Sequence, residues 1–192
     1  MQITKTALPG VLLLQPARFG DARGVFCETW NRRTLAAHGI ALDFVQDNQS
    51  RSARAGTVRG LHFQAPPHAQ DKLVRCAAGA LFDVAVDIRR GSPTYGQWVG
   101  HELSAENGLQ MLIPQGFLHG FVTRAPDTEI CYKCTGYYAP DCEGAVRFDD
   151  PEIAVDWGLQ GPPILSDKDA EAPGLASLDS PFDYSPIPYG DA

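Results

Sequence analysis

Hydrophobic and polar positions alternate along this chain in short runs, each bounded by Gly, Pro, Asn or Asp. That pattern predicts many short strands joined by turns. Strands are expected within 2–16 around the run Val11-Leu12-Leu13-Leu14, after the turn at Phe19 to Gly24, over 44–50 and over 57–64. Others are expected over 73–76, 81–88, 98–103, 110–113, 120–123 and 128–135. In 81–88 the two faces differ: Leu81, Asp83, Ala85 and Asp87 share one, while Phe82, Val84, Val86 and Ile88 share the other. Such a strand suits the wall of a barrel or sandwich. The best helix candidate is 31–38, with Asn31 as N-cap and Gly39 as its stop. Gly60, inside a strand pattern, points to a bulge. Periodicity fades from Pro140, and 173–192 is expected to be a tail that packs on the surface or frays.

Composition narrows the picture. With 192 residues, 44% hydrophobic and 20% charged, the chain is expected to be one domain with a core of its own. A net charge of −7 excludes a broad nucleic-acid surface, which needs a basic stripe. Val11 to Leu14 is too short to span a bilayer or to form a signal-peptide core, so no membrane partner and a cytoplasmic setting are expected. The cysteines, Cys27, Cys76, Cys131, Cys134 and Cys142, are odd in number and widely spaced, which suggests free thiols. Cys131 and Cys134 form a CxxC, yet on a strand they would point to opposite faces, and there is no second CxxC to complete a zinc set.

Two spacings carry more. Gly56 is followed after five residues by His62, and Lys72 after six by Gly79. Downstream come Gly108, five residues, Pro114, one residue, Gly116, two residues and His119. Together these resemble the paired motifs of cupins, and the resemblance implies an all-β, cupin-like antiparallel barrel (a jelly roll) with a few short helices. A metal-binding cupin has a second His where Gln64 stands and a Glu where Lys72 stands, and the usual Asn is here Thr123. A protonated Lys repels a divalent cation and offers it no lone pair. The expectation is therefore a barrel with no metal and no other cofactor.

A more specific likeness lies in segments that occur in a fixed order. They are Phe19-x-Asp21-x-Arg23-Gly24, Arg59-Gly60-Leu61-His62-Phe63-Gln64, Pro67-His68-Ala69-Gln70-x-Lys72-Leu73-Val74-Arg75, Pro114-x-Gly116-x-x-His119-Gly120-Phe121, Tyr132-Lys133 and Leu165-Ser166-Asp167-Lys168-Asp169. Together they resemble the dTDP-4-dehydrorhamnose 3,5-epimerases, which invert two centres of a 4-keto-6-deoxy sugar nucleotide. The chemistry of the residues agrees. Epimerising a carbon beside a ketone needs a base for the α-proton, a group to hold the enolate oxygen, and an acid on the opposite face. His62 suits the base, because imidazole exchanges protons near neutrality. Asp169 suits the group that orients and charge-stabilises it. Lys72 suits the enolate oxygen and Tyr132 the acid. The resemblance implies these four roles, and it adds Arg23, Phe26, Glu28, Gln46, Asn48, Arg59, His119, Glu143 and Lys168 as substrate contacts, with Tyr138 stacked on thymine. It also implies a homodimer paired through N-terminal strands.

Plainer readings stand beside these. A lone His in a strand is more often structural, and it is Lys72, costly to place inside a barrel, that shifts the balance for His62. His119 could contact substrate or cap a loop, and His68 reads as a loop residue. Asp83 reads as a buried, paired carboxylate. Arg59 and His62 are three apart, so strict alternation would separate them unless a bulge at Gly60 intervenes. Other functions compatible with the pattern are a mono-epimerase or 3,4-ketoisomerase on a related sugar nucleotide, and a binding module without catalysis. A metal-dependent oxygenase is disfavoured by Gln64 and Lys72.

Overall fold

The structure is a computed structural model that describes residues 1–187 and 189. The chain opens with β1 (Gln2–Lys5) and β2 (Leu12–Gln15), followed by a hairpin of β3 (Arg18–Asp21) and β4 (Gly24–Cys27). A short helix, α1 (Arg32–Ala36), leads to β5 (Gln46–Ser52), β6 (Val58–Gln64), β7 (Lys72–Ala78) and β8 (Ala80–Asp87). Then come β9 (Trp98–Ser104), β10 (Gln110–Ile113), β11 (Phe117–Thr123), β12 (Thr128–Cys134) and β13 (Glu143–Ala145). One further helix, α2 (Asp167–Ala170), follows.

Strands β1-β2-β10-β7-β12-β5 form a six-stranded sheet, and β13-β6-β11-β8-β9 form a five-stranded one. Their inner faces meet in a core where Val74, Met111 and Ile130 from the first sheet pack with Leu81, Leu103 and Phe121 from the second. This is the cupin-like, antiparallel all-β architecture. No helix among the described residues is long and apolar enough to cross a membrane.

Both outer faces are also covered in part. On the six-stranded sheet, Leu35 of α1 packs with Leu12, Leu14 and Leu112. That helix starts where expected because Asn31 Oδ1 accepts from the backbone N–H of Arg33 and Thr34, at 3.0 and 3.3 Å. Past its end, Gly39 takes φ +78°, a conformation that few other residues adopt without cost.

The apolar outer face of β8 is explained by the chain's last part. Val84, Val86 and Ile88 pack with Val146, Ile153, Trp157, Leu175 and Phe182. Burying an aliphatic side chain of this size stabilises by roughly 1.5–3 kcal/mol, so the segment without periodicity is an integral cover. Asp183 extends it by bridging to Arg90. Of the tail expected over 173–192, residues 188 and 190–192 lie outside the described residues.

Candidate active site

A break in alternation on β6 builds the site. His119 of β11 pairs with His62 and Phe121 pairs with Arg59, so Gly60 and Leu61 together oppose Gly120. The extra residue is a bulge. Gly60 has φ +109°, and a Cβ there would stand 2.6 Å from the His119 carbonyl oxygen. Glycine is required on both counts. The consequence is a change of parity: Val58, Leu61 and Phe63 all pack in the outer core. Arg59, His62 and Gln64 are thereby left on the inner face, and Arg59 comes close enough for its charge to act on the Tyr132 hydroxyl.

Between the two sheets lies a cavity of about 300 Å³ whose wall includes Gln46, Asn48, His62, Lys72, Tyr132 and Glu143. His62 enters from the five-stranded sheet, while Lys72 and Tyr132 enter from the six-stranded one. Behind His62 sits Asp169, whose Oδ1 is 2.5 Å from His62 Nε2. Asp169 is buried on α2, the helix capped by Ser166, whose Oγ accepts the Asp169 backbone N–H. Burial would raise this carboxyl, but hydrogen bonds from His62, Ser166 and the Gly60 backbone outweigh it and hold Asp169 below the ordinary carboxylate range. An ionised Asp169 can only accept, so Nε2 carries a proton, and in the neutral imidazole Nδ1 keeps the lone pair. The pair therefore presents a base.

Burial pushes the Tyr132 hydroxyl up, so it remains a proton donor through neutral pH. It pushes the Lys72 ammonium down, and the neighbouring acidic groups Cys134, Asp83 and Glu143 offset this only in part. Cys134 stands directly opposite Lys72 in the β12–β7 register, whereas Cys131 pairs with Arg75. All five cysteines are free.

The other expected contacts fall into two groups. Gln46, Asn48, Tyr138 and Glu143 line the cavity; Tyr138 OH donates to Glu143 Oε2 at 3.2 Å, and Lys168 Nζ reaches that oxygen at 2.5 Å. His119 is buried deeper, with Nε2 2.7 Å from Asp83 Oδ1. Arg23, Phe26 and Glu28 are elsewhere. Arg23 pairs with Asp21 on the β3–β4 hairpin, Phe26 is 70% exposed there, and Glu28 accepts from Asn31 Nδ2. Nothing among the described residues of this single chain brings those three to the cavity.

Three wall residues were not anticipated as contacts: Phe63, Gln64 and Gln70. Gln64 ties down the loop that bears Tyr138, donating to the His68 and Tyr137 carbonyls and accepting from the Ala139 N–H. Its place two residues from His62, on the same face, was the available signal. Gln70 donates to the Gly136 carbonyl at 2.7 Å, a backbone contact that spacing does not reveal.

Comparison with known proteins places this architecture. The family model described as dTDP-4-dehydrorhamnose 3,5-epimerase matches residues 5–177. A dTDP-4-dehydrorhamnose 3,5-epimerase of Pseudomonas aeruginosa is 52% identical over 180 residues, 93% of this chain and 98% of the relative. One from Salmonella typhimurium is 53% identical over 176 residues, 91% of this chain and 96% of the relative. Among solved structures, a dTDP-6-deoxy-D-glucose-3,5-epimerase from Legionella pneumophila in complex with dTDP-4-keto-L-rhamnose superposes with a TM-score of 0.91 at 45% identity, covering 96% of this chain and 98% of that one. With most of its length matched in sequence and in fold, the chain belongs to the dTDP-4-dehydrorhamnose 3,5-epimerase family.

Proposed function

We propose that this protein epimerises dTDP-4-dehydro-6-deoxy-D-glucose at C3 and C5 to dTDP-4-dehydro-L-rhamnose. The observation that carries the reading is the placement of His62, backed by Asp169 of α2, and Tyr132 on opposite walls of one cavity, the positions a base and an acid would need. His62 Nδ1 takes the proton from a carbon beside the ketone. The electron pair of that C–H bond moves into the ring as an enolate, and its oxygen is met by the Lys72 ammonium. Tyr132 then delivers a proton to the opposite face of the same carbon, which inverts it, and solvent restores both side chains. Each step is proton transfer, so the reaction needs no redox cofactor or metal, and exhaustive chelation should leave the rate unchanged.

The β3–β4 hairpin supports a homodimer. Phe19, Val25 and Phe26 are exposed on it, and β1 leaves an open edge on the six-stranded sheet. We place Arg23, Phe26 and Glu28 of one copy at the cavity of the other, which unites the contacts a single chain leaves apart. A mixture of Arg23→Ala and His62→Ala proteins should then recover activity that neither has alone, because one mixed site is intact. Failure to recover, or a 20.8 kDa monomer by light scattering, would count against this arrangement. The free thiols are consistent with a cytoplasmic setting.

NMR of the substrate in heavy water tests the chemistry. The wild type should place deuterium at both carbons beside the ketone and invert both, whereas a mono-epimerase would invert one. His62→Ala should abolish exchange and inversion, at a cost of ~10²–10⁴-fold. Tyr132→Phe should permit exchange without inversion, since the imidazolium returns a deuteron to the original face. Loss of exchange in a folded Tyr132→Phe protein with normal substrate affinity would withdraw the assignment of Tyr132 as the acid.

A further inference from the structure

The Lys72 ammonium makes no hydrogen bond among the described residues, so its place in the cavity is set chiefly from its own backbone. That backbone is anchored at its neighbour. Gln70 and Lys72 line the catalytic cavity, whereas Asp71 between them lines a separate one of about 280 Å³. Asp71 is buried, and three segments remote in sequence bind it. The first is Thr135, just past β12, the strand that carries Tyr132. Its Oγ1 accepts the Asp71 N–H at 2.8 Å and donates to Asp71 Oδ2 at 3.0 Å, and its own N–H donates to the Asp71 carbonyl at 3.1 Å. The second is Gln115, in the turn between β10 and β11, whose N–H reaches Asp71 Oδ1 at 3.4 Å. The third is Tyr189, whose hydroxyl donates to the same Oδ1 at 3.0 Å.

Tyr189 belongs to the C-terminal tail, and its ring is buried in the apolar cluster that also holds Leu12, Leu14, Leu112 and Leu73. The residues on either side of Lys72 are thus both secured: Asp71 by hydrogen bonds and Leu73 by packing in that cluster. We propose that Asp71, tethered by Thr135 and Tyr189, is a positioning residue that fixes the Lys72 backbone so that the ammonium meets the developing enolate oxygen. The inference rests on the epimerase reading for the enolate alone; the tether stands on its contacts. A misplacement of about 1 Å at a group that acts on the transition state costs on the order of 10²-fold in rate.

Three variants and two measurements test this. Asp71→Ala removes every side-chain tether and should lower turnover ~10²-fold with KM unchanged, because Lys72 meets charge that develops only in the transition state. Tyr189→Phe keeps the buried ring and loses one hydrogen bond, so it should show a smaller fall of the same kind. Asp71→Asn should restore most of the rate, since its carbonyl can still accept from Tyr189 and Gln115 while its amide donates to Thr135 Oγ1. Amide hydrogen exchange over residues 70–74, followed without substrate, should be faster than wild type in Asp71→Ala and Tyr189→Phe and close to wild type in Asp71→Asn. A raised KM with unchanged turnover, or an Asp71→Asn protein as slow as Asp71→Ala, would overturn the proposal. Faster exchange in the variants of a protein whose wild type turns over no keto-sugar would keep the tether and sink the epimerase reading instead. If Asp71→Ala does not fold, Tyr189→Phe decides, and its matching wild type in both exchange and turnover would overturn the proposal.

Discussion

Asp83 and Asp87 share one face of β8 and both are fully buried, yet their surroundings are opposite in kind. Asp87 is saturated. Its Oδ1 accepts from the Arg89 backbone and Nε, each at 2.9 Å, and its Oδ2 from Arg89 Nη2, Ser92 and Thr94, at 2.6, 2.6 and 2.7 Å. The Arg89 guanidinium also lies over the Phe117 ring, 4.5 Å from its centroid. Asp83 has one bonded oxygen and one that finds no hydrogen-bond partner among the described residues. Saturated polar clusters hold a fold in one arrangement, whereas an unsatisfied buried group calls for another explanation. Here the completed cluster is a fastener, and the incomplete one lies on the face of β8 that carries Leu81 and Ala85 of the inner core.

Changing the cavity wall and breaking the Asp87 cluster should separate activity from stability. The largest effect is expected from Lys72→Met, which should lower turnover ~10²–10³-fold, the scale of losing one preorganised oxyanion donor. Its urea midpoint should stay level or rise, because an ammonium without hydrogen bonds is costly to bury. A collapse in stability with normal turnover would reverse the comparison. In wild-type protein the alkaline limb of turnover should belong to Lys72, held below its ordinary 10.5, and not to Tyr132, held above its ordinary 10.0.

Asp87→Asn should do the opposite, destabilising by about 3–5 kcal/mol while the folded protein turns over normally. Burial alone would raise the Asp87 carboxyl, but hydrogen bonds from Arg89, Ser92 and Thr94 hold it below its ordinary 3.8. The contribution is therefore present above that pH and lost as pH falls through the depressed value. Acid unfolding of Asp87→Asn should lack this component, and an unchanged acid limb would show that Asp87 was never charged. The smallest effect is expected at Arg59, which the bulge turns inward. Arg59→Ala should raise KM about tenfold, the scale of one charge-assisted hydrogen bond, and change turnover less. Unchanged KM with collapsed turnover would place Arg59 in the chemistry.

Much of this was legible in the chain because it depends on local rules. Alternation located the strands, and Asn31 and Gly39 marked the helix ends. A glycine inside an alternating run marked the bulge that sets Arg59 and His62 on one face. The two faces of β8 were readable residue by residue. What covers the outer one was not, because Val146, Ile153, Trp157 and Leu175 follow the contour of a sheet and no period of their own. Asp169 lies 107 residues from His62, so only the likeness to a family joined them before the fold did. Gln70 escaped notice as a wall residue because it holds a backbone carbonyl, which leaves no trace in side-chain spacing, whereas Gln64, two residues from His62, was read only for the metal ligand it replaces. The hairpin that carries Arg23 and Phe26 is a case apart, since nothing among the described residues of one chain explains its exposed rings.

The late cover of the five-stranded sheet also sets an order in time. A ribosome delivers β6, β8 and β11 well before Trp157, Leu175 and Phe182, which pack against them. Until those residues emerge, Val58, Val84, Val86 and Val122 form a bare apolar surface on a nascent chain, the kind of exposure that draws chaperones and invites aggregation. Completion of the barrel therefore waits until Phe182 has emerged. Premature release before Phe182 should yield a chain that has its catalytic His62, Lys72 and Tyr132 and still cannot hide the back of the sheet on which His62 stands.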